Sequence, residues 1–254
     1  MENLDKCVLV TGGAKRIGRA IVENLAANGY GVAIHCHNST SEADALAAQI
    51  TQNGGRAGVV QADLTNMDEV AGLVPQAVDK LGPISVLVNN ASVFENDDIG
   101  ELDHKRWDAH FDVHLKAPVF LSEAFAAQDN GRHEGLIVNI IDQRVLRLNP
   151  LFFSYTLSKT ALWTATRTMA QALAPRIRVN AIGPGPTLKN VRQTEDNFAE
   201  QIALLPLKRG PTLASFGETI RYFDNTPSIT GQMIATDGGQ HLFWEAPDVV
   251  NVVE

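Results

Sequence analysis

The 254-residue chain is poor in the features that mark several whole classes of protein. It has 2 cysteines, Cys7 and Cys36, too few for a disulfide framework and without the spacing of a metal site. They read as two buried thiols on neighbouring strands, which suits the reducing cytoplasm. No apolar run approaches the ~20 residues that span a bilayer. Residues 1–6 are acidic and polar, and Cys7 to Val10 reads as a strand rather than the core of a secretory signal. Positive charge is scarce too: 21 Lys and Arg stand against 29 Asp and Glu, a net charge of −8. The chain as a whole therefore offers no attraction to nucleic acid or to an anionic membrane. Repeats, low-complexity tracts and linker-like breaks are missing, which points to one domain over residues 1–254.

What is present is alternation. Short apolar runs at 7–11, 30–36, 57–61, 84–89, 135–141, 177–182 and 232–236 have the length and bulk of buried parallel strands. Between them, apolar residues recur at helical spacing, as in Ile17, Ile21 and Leu25, or Ala43, Leu46 and Ile50. Helices are expected up to Gly29, over 41–52, 68–81 (with Pro75 as a candidate kink), 106–127 as one long element, 154–174 and 213–223. Residues 183–196 are rich in Gly, Pro and polar side chains without a clear period, and read as a mobile loop. Strand–helix alternation at this rhythm predicts a doubly wound parallel α/β sheet of Rossmann type, helices on both faces, with ligands at the carboxyl ends of the strands.

The first strand–helix turn carries Gly12 and Gly18. Glycines there let backbone amides approach a pyrophosphate at a helix N-terminus; a tight turn without a ligand is the plainer alternative. Lys15 and Arg16 put cations in the same turn. At the end of the second strand, where a carboxylate would select an unphosphorylated ribose, the chain has His35, Cys36, His37, Asn38 and Ser39. Neutral donors there, with Lys15 and Arg16 nearby, favour NADPH, although either histidine alone could simply pack or face solvent. Asp63, followed by Leu64, ends the third strand where it could accept from an adenine amino group, and Asn90-Ala91-Ser92 closes the fourth beside the cofactor path.

Tyr155 and Lys159 stand four apart in a helical stretch, one turn apart on one face. A Tyr is a poor acid at its usual pKa near 10, and a fixed ammonium beside it favours phenolate and so proton transfer. An exposed helical pair is the competing reading of that spacing alone.

Taken together, Thr11-Gly12-x-x-x-x-Ile17-Gly18, Asn89-Asn90-Ala91, Tyr155-x-x-x-Lys159, Arg178-Val-Asn180 and Pro184-Gly185 resemble, in order and spacing, the short-chain dehydrogenases/reductases. The resemblance runs from Cys7 to about Leu242. It implies a sheet of about seven strands, a homotetramer, and cofactor contacts from Thr11, Ile17, Lys159, Pro184, Gly185 and Thr187. Three departures refine it: Arg16 replaces the usual middle glycine of the turn, Asp142 the catalytic Ser, and His114 the Asn of the helix after the fourth strand. With Thr-Gly-x-x-Lys-Arg at 11–16 and His-x-His at 35–37, the chain is similar to the pteridine reductase branch, and His114 to bacterial dihydromonapterin reductases. Asn38 departs from the Arg often found there, which loosens the implied grip on a 2′-phosphate.

That resemblance implies hydride transfer to a dihydropterin C=N bond, with Tyr155 as proton donor, Asp142 acting with Tyr155 or on the pterin amine edge, and Lys159 holding the nicotinamide ribose. Arg16, Ser92 and Phe94 would contact the substrate, Phe94 by stacking. Plainer roles stay open: Asp142 capping a turn or pairing with Arg144, Phe94 as core, His114 as packing rather than a proton path. A carbonyl or 3-oxoacyl reductase is the alternative within the fold, and an idle NADPH-binding sensor the alternative outside catalysis.

Overall fold

A computed structural model describes residues 6–128 and 134–245. Of the acidic stretch at 1–6, only Lys6 lies among the described residues. Seven parallel strands, β1 (Cys7–Val10), β2 (Gly31–Cys36), β3 (Ala57–Gln61), β4 (Val86–Asn89), β5 (Gly135–Ile140), β6 (Ile177–Pro184) and β7 (Met233–Thr236), lie in the order β3-β2-β1-β4-β5-β6-β7. The order reverses between β1 and β4, so their carboxyl ends diverge and open a crevice for a ligand.

The central strands are buried on both faces, which is why they read as unbroken apolar runs. Alternate residues feed opposite layers. Val8 and Val10 pack in one core with Ile21 and Leu25 of α1 (Arg16–Ala27) and, further along the chain, Phe216 and Ile220. Cys7 and Leu9 pack in the other with Leu73 and Val74. Cys7 and Cys36 are free, buried and on neighbouring strands, as expected. After α2 (Thr40–Gln52), α3 (Met67–Leu81) runs through Pro75 without ending there. No helix among the described residues is long and apolar enough to cross a membrane.

Two expectations need correction. The single helix foreseen over 106–127 is three segments: α4 (His104–Phe111), a π-helical turn (Asp112–Lys116) and α5 (Ala117–Ala126). Pro118 is the physical reason, because in an unbroken α-helix its ring would strike the carbonyl four residues back and leave it unpaired. The wider turn, closed by Ala117 N–H donating to Asp112 O, places Pro118 in the first turn of α5 instead. The loop foreseen over 183–196 ends in α7 (Glu195–Leu204). Its start is a capping box: the Thr194 side chain accepts from Asn197 N–H while the Asn197 side chain accepts from Thr194 N–H. The remaining helices are α6 (Phe153–Leu173) and α8 (Leu213–Asn225).

Candidate active site

Two adjoining hollows open at the carboxyl ends of the strands. The larger, about 720 Å³, runs past Gly12, Lys15, Gly18, His37, Asp63 and Ala91. Asn38, Ser39, Leu64 and Asn90 also line it. The smaller, about 370 Å³, is walled by Asp142, Tyr155, Lys159, Pro184, Gly185 and Thr187. Arg16, Ile17, Ser92 and Phe94 face both and mark the seam between them.

The larger hollow has the construction of an anion cradle. No side chain caps the N-terminus of α1, so its first amides point outward unsatisfied. Gly12 sits at φ +61°, and a Cβ on Gly18 would come within 2.1 Å of Gly12 O and 2.5 Å of Asn90 Nδ2. Only glycine allows that approach of helix to turn. Asn90 Nδ2 donates to Thr11 O at 2.8 Å, and Thr11 Oγ1 accepts from Asn90 and Ala91 N–H at 2.9 and 3.0 Å. Thr11 is buried and braces β1 against β4 rather than lining the hollow. Arg16 adopts φ +52°, the left-handed region that explains why a glycine is usual at this point. Its guanidinium donates to the carbonyls of Leu188 and Lys189, at 3.3 to 3.4 Å.

His35 does not present the free donor foreseen for it. Its Nδ1 accepts from Gly12 N–H at 3.0 Å, so its Nε2 donates to Ala62 O at 3.0 Å. Both ring nitrogens are therefore used within the protein, and burial lowers its pKa to about 4. The available groups at this end are His37, whose Nε2 lies 3.7 Å from Asp63 Oδ2, and Lys15, paired with Glu42 at 2.7 Å. Thr65 hydrogen bonds hold the Asp63 carboxyl below the usual range.

In the smaller hollow, Tyr155 O–H donates to Asp142 Oδ2 at 2.9 Å, while Asp142 Oδ1 accepts from Arg144 N–H at 2.8 Å. Asp142 thus caps the short 3₁₀ turn Gln143–Val145 and contacts the phenol at once. Burial raises its pKa against the pull of Arg144 and Tyr155. Lys159 Nζ donates to Ile140 O at 2.8 Å, and burial lowers its pKa to about 8. The acidifying effect expected of Lys159 on Tyr155 is not what this geometry gives. The ammonium is 5.8 Å from the ring centroid, and burial, with the Asp142 charge beside it, carries the phenol well above its ordinary value. Tyr155 stays protonated throughout the neutral range.

Phe94 stacks on Phe152 at 4.3 Å between ring centroids, tilted 6°, and meets Tyr155 edge-on at 4.7 Å. It is cleft wall, not core. Arg144 and Arg192 flank the pair, 4.8 Å from the Phe152 centroid and 5.2 Å from that of Phe94. Phe152 and Arg192 were not foreseen. Phe152 lies three residues before Tyr155 at φ +57°, and nothing local in the sequence announces that conformation. Arg192 stood unmarked inside the stretch read as a loop.

A parallel sheet with an uncapped α1 beside a Tyr–Lys pair and a carboxylate defines a dinucleotide-dependent oxidoreductase site of the Rossmann type. The short chain dehydrogenase profile matches residues 6–200, and the chain belongs to that family. Crystal structures of FolM alternative dihydrofolate reductase 1, complexed with NADP, are similar to it. The Brucella canis protein is 60% identical, with a TM-score of 0.95 over 98% of this chain and 99% of that one. The Brucella suis protein is likewise 60% identical, with a TM-score of 0.95 over 98% and 100%. A 3-oxoacyl-[acyl-carrier-protein] reductase from Synechocystis is 35% identical, covering 92% of this chain and 96% of its own.

Proposed function

We propose that this chain is an NADPH-dependent reductase of a dihydropterin or a similar fused nitrogen heterocycle, working as a single dinucleotide-binding domain in a cytoplasmic homotetramer. The observation that carries the chemistry is the 2.9 Å bond from the Tyr155 phenol to the Asp142 carboxylate in a hollow walled by Phe94. NADPH supplies a hydride to carbon when bound, and the protein's task is then to deliver a proton to the neighbouring ring nitrogen. A phenol kept protonated is the donor, the Asp142 carboxylate that accepts from it holds it in place, and the phenolate left behind regains its proton from solvent. The two titrate as a pair rather than as separate acids. Lys159, charged at neutral pH, offsets the negative charge left on that pair and is placed to hold the nicotinamide ribose. Phe94 offers an aromatic face to a flat ring.

The amides of α1, with Lys15 and Arg16, suit the pyrophosphate. His37, Asn38 and Ser39 suit the 2′-phosphate, with Asp63 toward the adenine. Exposed Phe120 on α5 and Leu157 on α6 are apolar surface that association of copies would cover. Reduction of a 3-oxoacyl carbonyl is disfavoured by Asp142, because a carboxylate beside the phenol repels a developing oxyanion. Steady-state NADPH oxidation by the purified protein decides the matter: dihydropterins or dihydrofolate should be consumed. Turnover of ketones with no pterin at any pH would reject the reading.

A further inference from the structure

Behind Tyr155 lies a buried polar assembly that the proton transfer does not itself use. His110 and His114 are 0% and 1% exposed, and their rings stack 5.5 Å apart at 17°. Each bonds one backbone N–H of the loop and one serine of α6, and His114 Nε2 also lies 3.0 Å from Ser92 Oγ. His114 Nε2 faces Val93 N–H at 3.1 Å and its Nδ1 faces Ser158 Oγ at 2.9 Å. His110 Nε2 faces Glu95 N–H at 3.4 Å and its Nδ1 faces Ser154 Oγ at 2.7 Å. A backbone N–H can only donate, so both Nε2 atoms are acceptors and both rings are neutral with the proton on Nδ1. The chain of bonds then runs one way. Ser158 Oγ accepts from His114 and donates to Tyr155 O at 2.8 Å, and Ser154 Oγ accepts from His110 and donates to the buried Asp97 carboxylate.

The spacing gives these two rungs their meaning. The histidines are four apart, the serines are four apart on α6 around Tyr155, and the two amides bracket Phe94. Both rings also meet the Tyr155 ring edge-on, at 5.9 and 5.2 Å. We propose that His110 and His114 form a two-rung clamp that fixes the gap between Phe94 and Tyr155, and with it the register of a flat substrate against its proton donor. They are positioning residues, acting through the loop at 93–95 and through α6. The π-helical turn at Asp112–Lys116 carries the second rung, which gives that local distortion a use. The proposal takes Phe94 and Tyr155 as stacking and reacting groups, so it rests on the reductase reading.

Protonating either ring would replace an acceptor by a donor facing an N–H and open its rung. The charged groups around His110 are Asp97 and Glu95 from the loop, Arg106 from its own helix and Lys159 from α6; those around His114 are Lys159 and His110. Burial outweighs the carboxylates at His110, and both rings are held toward the neutral form.

The two ends of a rung can be separated by substitution. His114→Gln sets an amide oxygen near the Nε2 position and keeps the loop bond while losing Ser158. His114→Asn sets an amide near the Nδ1 position and keeps Ser158 while losing the loop partners of Nε2, Val93 and Ser92. With NADPH affinity and thermal midpoint close to wild type, the first should lower kcat roughly tenfold and the second raise KM roughly tenfold, the size expected for sub-ångström misplacement. The ring nitrogens of 15N-histidine-labelled protein should report the neutral Nδ1–H form at His110 and His114, with protonation setting in at a lower pH than at exposed histidines. Identical kinetic changes in the two variants, wild-type kinetics in both, or an Nε2–H ring would overturn the clamp. Absence of dihydropterin turnover by the wild type would count against the reductase reading, while the nitrogen shifts still decide the clamp.

Discussion

On the nucleotide side of the cleft the surface is mostly main chain: Gly12, Gly18 and the uncapped amides of α1, with His35 spending both ring nitrogens to hold that backbone in place. On the substrate side it is mostly side chain: Asp142 against Tyr155, Lys159 on a strand carbonyl, and two arginines beside a phenylalanine stack. Backbone amides recognise phosphate whatever the substrate is. Of the three departures from the family's usual pattern, Arg16 lies in the first turn, while Asp142 and His114 lie on the other side, against Tyr155. Binding and chemistry are thus held by different materials and should respond to different perturbations.

The sharpest separation is Tyr155→Phe. It should lower turnover by about 10²- to 10⁴-fold, the range of a lost general acid, while fluorescence titration shows NADPH affinity nearly unchanged. Comparable loss of both would merge the two sides into one.

Next is the acid limb of stability, which belongs to the nucleotide side. His35 has a folded pKa of about 4 against 6.5 when exposed. Between these values the unfolded chain binds the extra proton, so stability falls as pH drops from 6.5 to 4, by roughly 3 kcal/mol from this residue. Denaturant unfolding across that window should show the slope, and His35→Asn should flatten it, although loss of the brace lowers stability throughout. Gly18→Ala should follow, at about 1 to 3 kcal/mol for an overpacked contact, because its Cβ would strike Gly12 O. It should weaken NADPH binding, leaving the pH profile of kcat in place.

The last prediction concerns Lys159, with a pKa of about 8. Turnover should decline above that pH as the ammonium deprotonates. Stability should move the other way: the unfolded Lys holds its proton up to about 10.5, so the cost of burying charge is relieved as pH rises from 8 toward that value. Parallel decline of activity and stability would remove Lys159 as the cause.

The seven strands were legible in the sequence because double burial leaves an unbroken apolar run with little competing explanation. The first turn was legible because Gly12 and Gly18 stand between a strand and a helix. Asp142, Tyr155 and Lys159 were found through spacing and resemblance, but their electrostatics were not. Whether Lys159 or Asp142 dominates the phenol depends on which atom the ammonium reaches, and that atom is Ile140 O. His35 stayed open between donor and packing for the same reason, since a residue type says nothing about where its two ring nitrogens point. The break at Asp112–Lys116 was readable in principle from Pro118, and α7 from Thr194-Glu-Asp-Asn197. Both signals were outweighed, one by a long apolar periodicity, the other by the glycines and prolines just before it.

The central claim is that the Asp142 carboxylate turns a carbonyl-reducing arrangement toward nitrogen. The direct measurement is kcat/KM for a dihydropterin relative to a β-ketoacyl thioester, in the wild-type protein and in Asp142→Ser, with NADPH affinity as control. The ratio should favour the dihydropterin in the wild type and fall at least tenfold in the variant, mostly through loss of pterin turnover. A ratio that stays the same, or rises, would show that Asp142 only caps the turn beside Arg144 and that selection of the reduced bond lies elsewhere.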